Sequence, residues 1–191
     1  VATYARWKGQ DLFLHAAAAL LRQGITDVAF YIIGGPVYKT RDSQFTVAEL
    51  RQQIVHLGLA AHCALIPFQQ DLPPIYRALD IVVHASTRPE PFGRTIIEAM
   101  ACGRAVVVSA AGGAVELFTE GVDALGVPPG RLPPLIEALR QLIHDPALRQ
   151  RLGTAARQTA VRRFDLQVMA QRLLPLYHEL LDVDQPGQKV H

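Results

Sequence analysis

The sequence predicts a doubly wound α/β fold: a parallel sheet with helices on both faces, followed by a helical tail. Three observations lead there. Short β-branched runs recur and are continuous rather than alternating, longer helical patterns lie between them, and Gly or Pro stands at most junctions. Continuous apolar runs are strands covered on both faces. Strands that alternate with helices build a parallel sheet through right-handed crossovers.

The strand runs are residues 28–33 (VAFYII), 64–66 (ALI), 81–85 (IVVHA) and 105–109 (AVVVS). Helical patterns occupy 11–23, 46–57, 72–79 and 93–102, and Gly24, Gly34-Gly35, Gly58, Pro67, Gly103 and Gly112-Gly113 punctuate the joins. The architecture is therefore Rossmann-like. After Gly130 the character changes. Residues 132–143, 146–163 and 166–181 read as amphipathic helices with no strand between them. Asp145 followed by Pro146 fits an N-cap with Pro at the first helical position, and Asp165 fits another N-cap. One domain over 1–181 is expected, with 182–191, which holds Pro186-Gly187, as a flexible tail. The opening residues form a short β-prone run. Since the first of them is Val1 rather than Met, the chain is expected to be cut from something longer.

Composition bounds the partners. Half of the 191 residues are hydrophobic, enough for a core and too many for a disordered chain. The formal net charge of +2 demands no polyanion, so nucleic acid is not expected as a partner. The arginines of 149–163 read as a solvated helix face, or as a peripheral membrane contact with anionic lipid. No apolar run reaches the roughly 18 residues of a membrane span, and no secretion signal opens the chain. Cys63 and Cys102 offer neither a disulfide framework nor zinc spacing and read as core residues. A cytoplasmic location, with or without membrane association, follows as an expectation.

In an open parallel sheet, ligands bind at the carboxyl ends of the strands. Gly34-Gly35 follow the first strand run and serve either a close approach to a ligand or a sharp turn. After IVVHA comes Ser86-Thr-Arg-Pro-Glu90-Pro-Phe-Gly93, an extended stretch held by two prolines. Gly93 then opens a helix, and the free N–H groups around Gly93, Arg94 and Thr95 make an anion site with room for a phosphate. Glu98 lies in the otherwise uncharged, largely apolar stretch 95–102, three residues beyond Thr95, where an unpaired buried carboxylate is costly. It either accepts from two ribose hydroxyls or forms an internal salt bridge with Arg94 or Arg104. Glu90 stands on the rim of this site. Gly112-Gly113, before Glu116, could face the same ligand. Lys8 is expected at the carboxyl end of a first strand, where it would neutralise a diphosphate.

These pieces, in this order, resemble the C-terminal domain of family 4 retaining glycosyltransferases, so the chain is similar to one half of a GT-B fold. The motifs are Glu90-Pro-Phe-Gly93, Glu98-Ala-Met-Ala-Cys-Gly103, Ala105-Val-Val-Val-Ser and Gly112-Gly113 before Glu116-Leu, supported by Ile32-Ile-Gly-Gly-Pro36, His56-Leu-Gly-Leu59 and Val127-Pro-Pro-Gly130. The resemblance implies a nucleotide-sugar donor of UDP or GDP type and a glycan, lipid or small-molecule acceptor. It implies that Glu90 contacts the donor sugar and that Lys8, with the backbone of Gly93, Arg94, Thr95 and Ile96, holds the diphosphate. Glu98 would take the ribose, and the loop near Phe68 the base. It also implies no cofactor and no metal, with cations and helix N-termini stabilising the leaving diphosphate.

Two positions depart from the family pattern. Ala2-Thr3 stand where Gly-Arg is usual, leaving Arg6 or Arg94 to assist Lys8, and Arg131 replaces a usual acidic residue. The family's N-terminal acceptor domain has no counterpart here, so it is an expected partner within the same protein, and this chain alone is expected to bind nucleotide weakly without turnover. A non-catalytic nucleotide-binding or scaffolding module is the alternative. An epimerase is disfavoured by the motif spacing, and a dinucleotide oxidoreductase by the lack of Gly-x-Gly-x-x-Gly after a strand.

Overall fold

The computed structural model describes residues 1–36 and 43–183. Its elements run α1 (Gln10–Arg22), β1 (Phe30–Ile33), α2 (Val47–His56), β2 (Cys63–Ile66), α3 (Pro73–Ala78), β3 (Ile81–His84), α4 (Arg94–Ala101), β4 (Ala105–Ser109), β5 (Leu125–Val127), α5 (Leu132–His144), α6 (Pro146–Phe164) and α7 (Leu166–Val183). Single 3-10 turns cover Arg6–Lys8 and Gly113–Glu116. The chain is a Rossmann-like α/β fold, as its residue pattern requires.

All strand pairing is parallel, in two pieces. β1 pairs with β2 with Phe30 opposite Cys63, and β4 lies between β3 and β5 with Val107 facing both Val83 and Leu125. β1 and β3 are not hydrogen-bonded to each other. A cleft of about 420 Å³ lies between them and reaches Val1, Lys8 and Ser86 at the carboxyl end. This differs from the single sheet expected. The β-prone opening residues do not form a strand there: the Ala2 and Tyr4 amides donate to Ile33 and Gly35, at and past the end of β1.

β4 shows why continuous apolar runs mean two covered faces. Ala105 and Val107 join the core formed with α1, α2 and α5, and Val106 and Val108 join that formed with α3, α4 and α6. All five β4 residues are buried. β5 was not expected, and it closes the sheet beyond β4. α6 comes close to the turn after α4 at Gly153, where a Cβ would collide with the Gly103 carbonyl.

Caps set the helix ends. Thr46 and Glu49 form a reciprocal capping box at α2. Asp145 accepts from Leu148 at α6, and Asp165 accepts from the Gln167 amide at α7. α7 continues to Val183, two residues past the expected boundary, and residues 184–191 of the expected tail lie outside the described residues. α7 packs on α6 and leaves Leu173, Leu174, Tyr177 and Leu181 exposed. No helix among the described residues is long and apolar enough to cross a membrane. The arginines of α6 at 151, 157, 162 and 163 are exposed, as a solvated face requires, and several also hold neighbouring loops. Arg149, Arg151, Arg157 and Arg163 donate to backbone carbonyls of Leu142, Gly121, Ala101 and Glu116, because helix and loop ends leave those acceptors unmatched.

Candidate functional site

The carboxyl ends of β1, β3 and β4 gather the residues with chemistry. Lys8 ends the first 3-10 turn and precedes Gly9 at φ 73. A Cβ on Gly9 would collide with the Ala85 carbonyl, so glycine lets this turn lie against the end of β3. The Thr87 amide fastens it by donating to the Trp7 carbonyl at 2.7 Å. Lys8 therefore stands at the end of β3 rather than at the end of a first strand. Its ammonium lies 4.1 Å from the centre of the Trp7 ring and 2.6 Å from Glu90 Oε2.

Glu90 is not on the rim. It is 8% exposed, because the proline-held stretch pairs with the loop after β4: the Glu90 amide donates to Ala111, and the Gly113 amide donates to Glu90 at 2.7 Å. Cβ atoms on Gly112 or Gly113 would strike the Glu90 and Pro91 backbone. These two glycines therefore make room for Glu90's chain, and the Gly113 amide is already engaged.

His84 and Ser86 complete the cluster, and neither was expected in it. His84 Nε2 lies 3.2 Å from Glu90 Oε2, and the Ser86 hydroxyl donates to the same oxygen at 3.3 Å. The only trace in the sequence was two polar residues closing an apolar run, IVVHAS. Burial lowers the His84 pKa against the opposing pull of Glu90, so the ring is neutral at pH 7 and Nε2 carries the proton toward the carboxylate. Its Nδ1 is buried without a partner among the described residues. For Glu90, burial alone would raise the pKa, but hydrogen bonds from Lys8 and His84 and the lysine charge outweigh it and hold it below the ordinary value.

α4 begins at Gly93, whose φ of 103 favours glycine. The amides of Gly93, Arg94 and Thr95 have no acceptor among the described residues. Two expectations need correction. Ile96 donates its amide back to Gly93 at 2.9 Å, and its side chain is fully buried, so it adds no free donor. The space beside Gly93 faces Ile96 Cδ1, 2.7 Å from a Cβ there, so it is filled by core rather than open for phosphate.

Glu98 is half-buried, with its side chain 29% exposed, not sealed in an apolar helix. It has two partners. Arg94 at i−4 approaches Oε1 at 3.2 Å, and the buried Tyr76 hydroxyl donates to Oε2 at 2.9 Å. Arg104 is engaged elsewhere, on carbonyls of Cys102 and Leu79. Thr95 donates its hydroxyl to the Val1 carbonyl. Arg6 pairs with Glu49 at 2.7 Å and stacks on Phe45, which carries it toward α2. Arg94, 83% exposed in its side chain, is thus the better placed cation beside α4.

At the end of β1, the close approach that Gly34 permits is to this chain's own Ala2 carbonyl, which a Cβ would strike at φ 145. Gly35 lies against Phe68, whose ring is 65% exposed after β2. The structure brings Lys8, Glu90 and the start of α4 together, and sets Gly35 and Phe68 at the neighbouring strand ends.

Residues 1–159 match the family described as Glycosyl transferases group 1. The D-inositol 3-phosphate glycosyltransferase 1 of Catenulispora acidiphila is 34% identical over 186 residues, covering 93% of this chain and 42% of that protein. HepE of Anabaena, solved in complex with UDP-glucose, superposes with a TM-score of 0.84 at 34% identity over 93% of this chain and 47% of that one. The C-terminal domain of a group 1 glycosyl transferase (LpcC) from Francisella tularensis, solved alone, gives 0.74 at 29% identity over 86% of this chain and 83% of that domain. The chain spans less than half the length of the curated relatives it matches.

Proposed function

This chain belongs to the glycosyl transferases group 1 family, and from that membership and the geometry of the site we propose that it is the donor-binding half of a retaining glycosyltransferase. The donor is a nucleoside diphosphate sugar of UDP or GDP type, and the acceptor a glycan, lipid or small molecule. One observation carries this reading: the ion pair of Lys8 and Glu90 lies at the strand ends, in the loop that leads into the unmatched amides of α4.

Each part has a task. The α4 amides and Arg94 receive the diphosphate, an anion that a helix N-terminus favours. Lys8 adds a positive charge beside it and stabilises the charge that grows on the leaving diphosphate, a role a divalent ion would otherwise fill. Glu90, held by Lys8, His84 and Ser86, presents its carboxylate to the sugar hydroxyls and fixes the sugar's orientation. Glu98 accepts from the ribose hydroxyls, and the exposed Phe68 lies under the base beside Gly35. The reaction breaks the bond from the anomeric carbon to the diphosphate and forms one to the acceptor oxygen on the same face, and the acceptor hydroxyl's proton passes to the leaving diphosphate oxygen. The acceptor site comes from the remaining part of a longer protein, and the exposed leucines of α7 are surface for contact with it.

HepE, a relative of 34% identity, was solved with UDP-glucose, which supports a nucleotide sugar as the ligand class. A non-catalytic module is less consistent with a lysine–carboxylate pair held in buried surroundings, since such a pair is costly to keep without use. The test is a thermal-shift panel of UDP, GDP, UMP and GMP. A diphosphate at 100 times its Kd is expected to stabilise the chain by about 2.7 kcal/mol, and the matching monophosphate by less. If no diphosphate raises the melting temperature above its monophosphate, the reading fails.

A further inference from the structure

We propose that Tyr76 is a positioning residue for nucleotide recognition: its hydroxyl holds one oxygen of the Glu98 carboxylate and so presents the other to ligand hydroxyls. The inference rests on the reading of Glu98 as the ribose acceptor.

Tyr76 belongs to α3, a six-residue helix whose first two positions are Pro73 and Pro74. Its side chain is 1% exposed and packs in the core with Ile96, Ala99 and Met100 of α4. The ring is therefore fixed by packing, which sets its hydroxyl between the Glu98 carboxylate and the Thr95 hydroxyl. A buried tyrosine hydroxyl requires a partner, and here that partner is Glu98 Oε2 at 2.9 Å. The two residues are 22 apart in sequence, on different helices.

The remaining partner of Glu98 is of another kind. Arg94 reaches Oε1, but its side chain is 83% exposed and its contact is a long 3.2 Å. Such exposed i,i+4 pairs are weak and exchange readily with water or ligand. One carboxylate oxygen is thus pinned by a rigid buried donor, and the other is paired only with a solvent-facing cation. A bond to a charged oxygen is stronger than a neutral one. Burial, with the Glu98 charge second, pushes the phenol pKa well above its ordinary value, so the hydroxyl stays a donor across the working range. Without it, the Glu98 side chain recovers rotamers that do not face the ligand.

The experiment titrates UDP and 2′,3′-dideoxy-UDP, which lacks the ribose hydroxyls, into the chain by calorimetry, with GDP and its dideoxy form as a parallel pair. Wild type, Tyr76→Phe, Glu98→Gln, Glu98→Ala and the Tyr76→Phe/Glu98→Gln double variant are compared. Phenylalanine keeps the ring that fills the core. The wild type is expected to prefer the hydroxylated nucleotide by roughly tenfold or more. Tyr76→Phe is expected to lose most of that preference while binding of the dideoxy form changes less than about twofold. In the double variant it adds nothing to Glu98→Gln, as residues acting through one another do not add. Equal weakening of both ligands by Tyr76→Phe, or an unchanged preference, overturns the inference. If Glu98→Ala also leaves the preference intact, the ribose reading itself falls and the inference with it. If Glu98→Ala abolishes the preference and Tyr76→Phe does not, only the inference falls.

Discussion

The ammonium of Lys8 lies 2.6 Å from Glu90 Oε2, joining two residues 82 positions apart at the carboxyl end of β3. Both are largely withdrawn from solvent, with side chains 19% and 10% exposed. Breaking such a pair leaves a carboxylate with only neutral donors. Lys8→Met, which keeps the stem over Trp7, is expected to cost about 2–3 kcal/mol in urea unfolding. Adding Glu90→Gln should recover most of that loss, because the residues are directly coupled. A cost under about 1 kcal/mol for Lys8→Met would mean that Glu90 behaves as a solvated rim residue after all.

His84 sets a pH dependence. Its folded pKa lies below the ordinary 6.5, mainly through burial. Below pH 6.5 the unfolded chain takes up a proton that the folded one resists, so stability is lost as pH falls toward the folded value. Glu90, also held below its ordinary 4.5, adds a second loss under that pH by the same sign. Urea midpoints at pH 7.5, 6 and 5 are expected to decline in the wild type and to decline less in His84→Gln. Parallel declines would show that His84 is not the titrating group.

Two glycines with nearly equal backbone angles separate strain from close approach. Gly9 has φ 73 and its missing Cβ faces the Ala85 carbonyl, whereas Gly58 has φ 71 and open space. Gly58→Ala is expected to cost about 1–2 kcal/mol, the left-handed penalty alone. Gly9→Ala should cost clearly more, and it should also weaken diphosphate binding by moving Lys8. Equal costs in thermal unfolding would show that the turn's contact with β3 is soft.

Much of this architecture could be read from the residues, and the failures have a common cause. The run AVVVS is β4 to the residue, because a strand covered on both faces is apolar without interruption. Asp145 before Pro146 marks α6 for reasons wholly local. β5 was missed because Leu125-Gly-Val127 is three residues long with a glycine at its centre, and only its pairing to β4 makes it a strand. The site follows the same division. The helix start at Gly93 and the carboxylate at Glu98 were legible from neighbouring residues. The burial of Glu90, the joining of His84 and Ser86 to it and the bond from Tyr76 to Glu98 depend on which strand ends and helices meet. No local period encodes those meetings.

Whether the stretch from Glu90 to Glu98 binds the donor nucleotide is decided by a calorimetric titration of UDP, GDP and ADP into the wild-type chain and Glu98→Ala. The wild type is expected to bind UDP or GDP at one site, weakened roughly tenfold or more in the variant through loss of charge-assisted bonds to the ribose. Failure of every nucleotide to bind, or an affinity untouched by Glu98→Ala, would contradict this expectation.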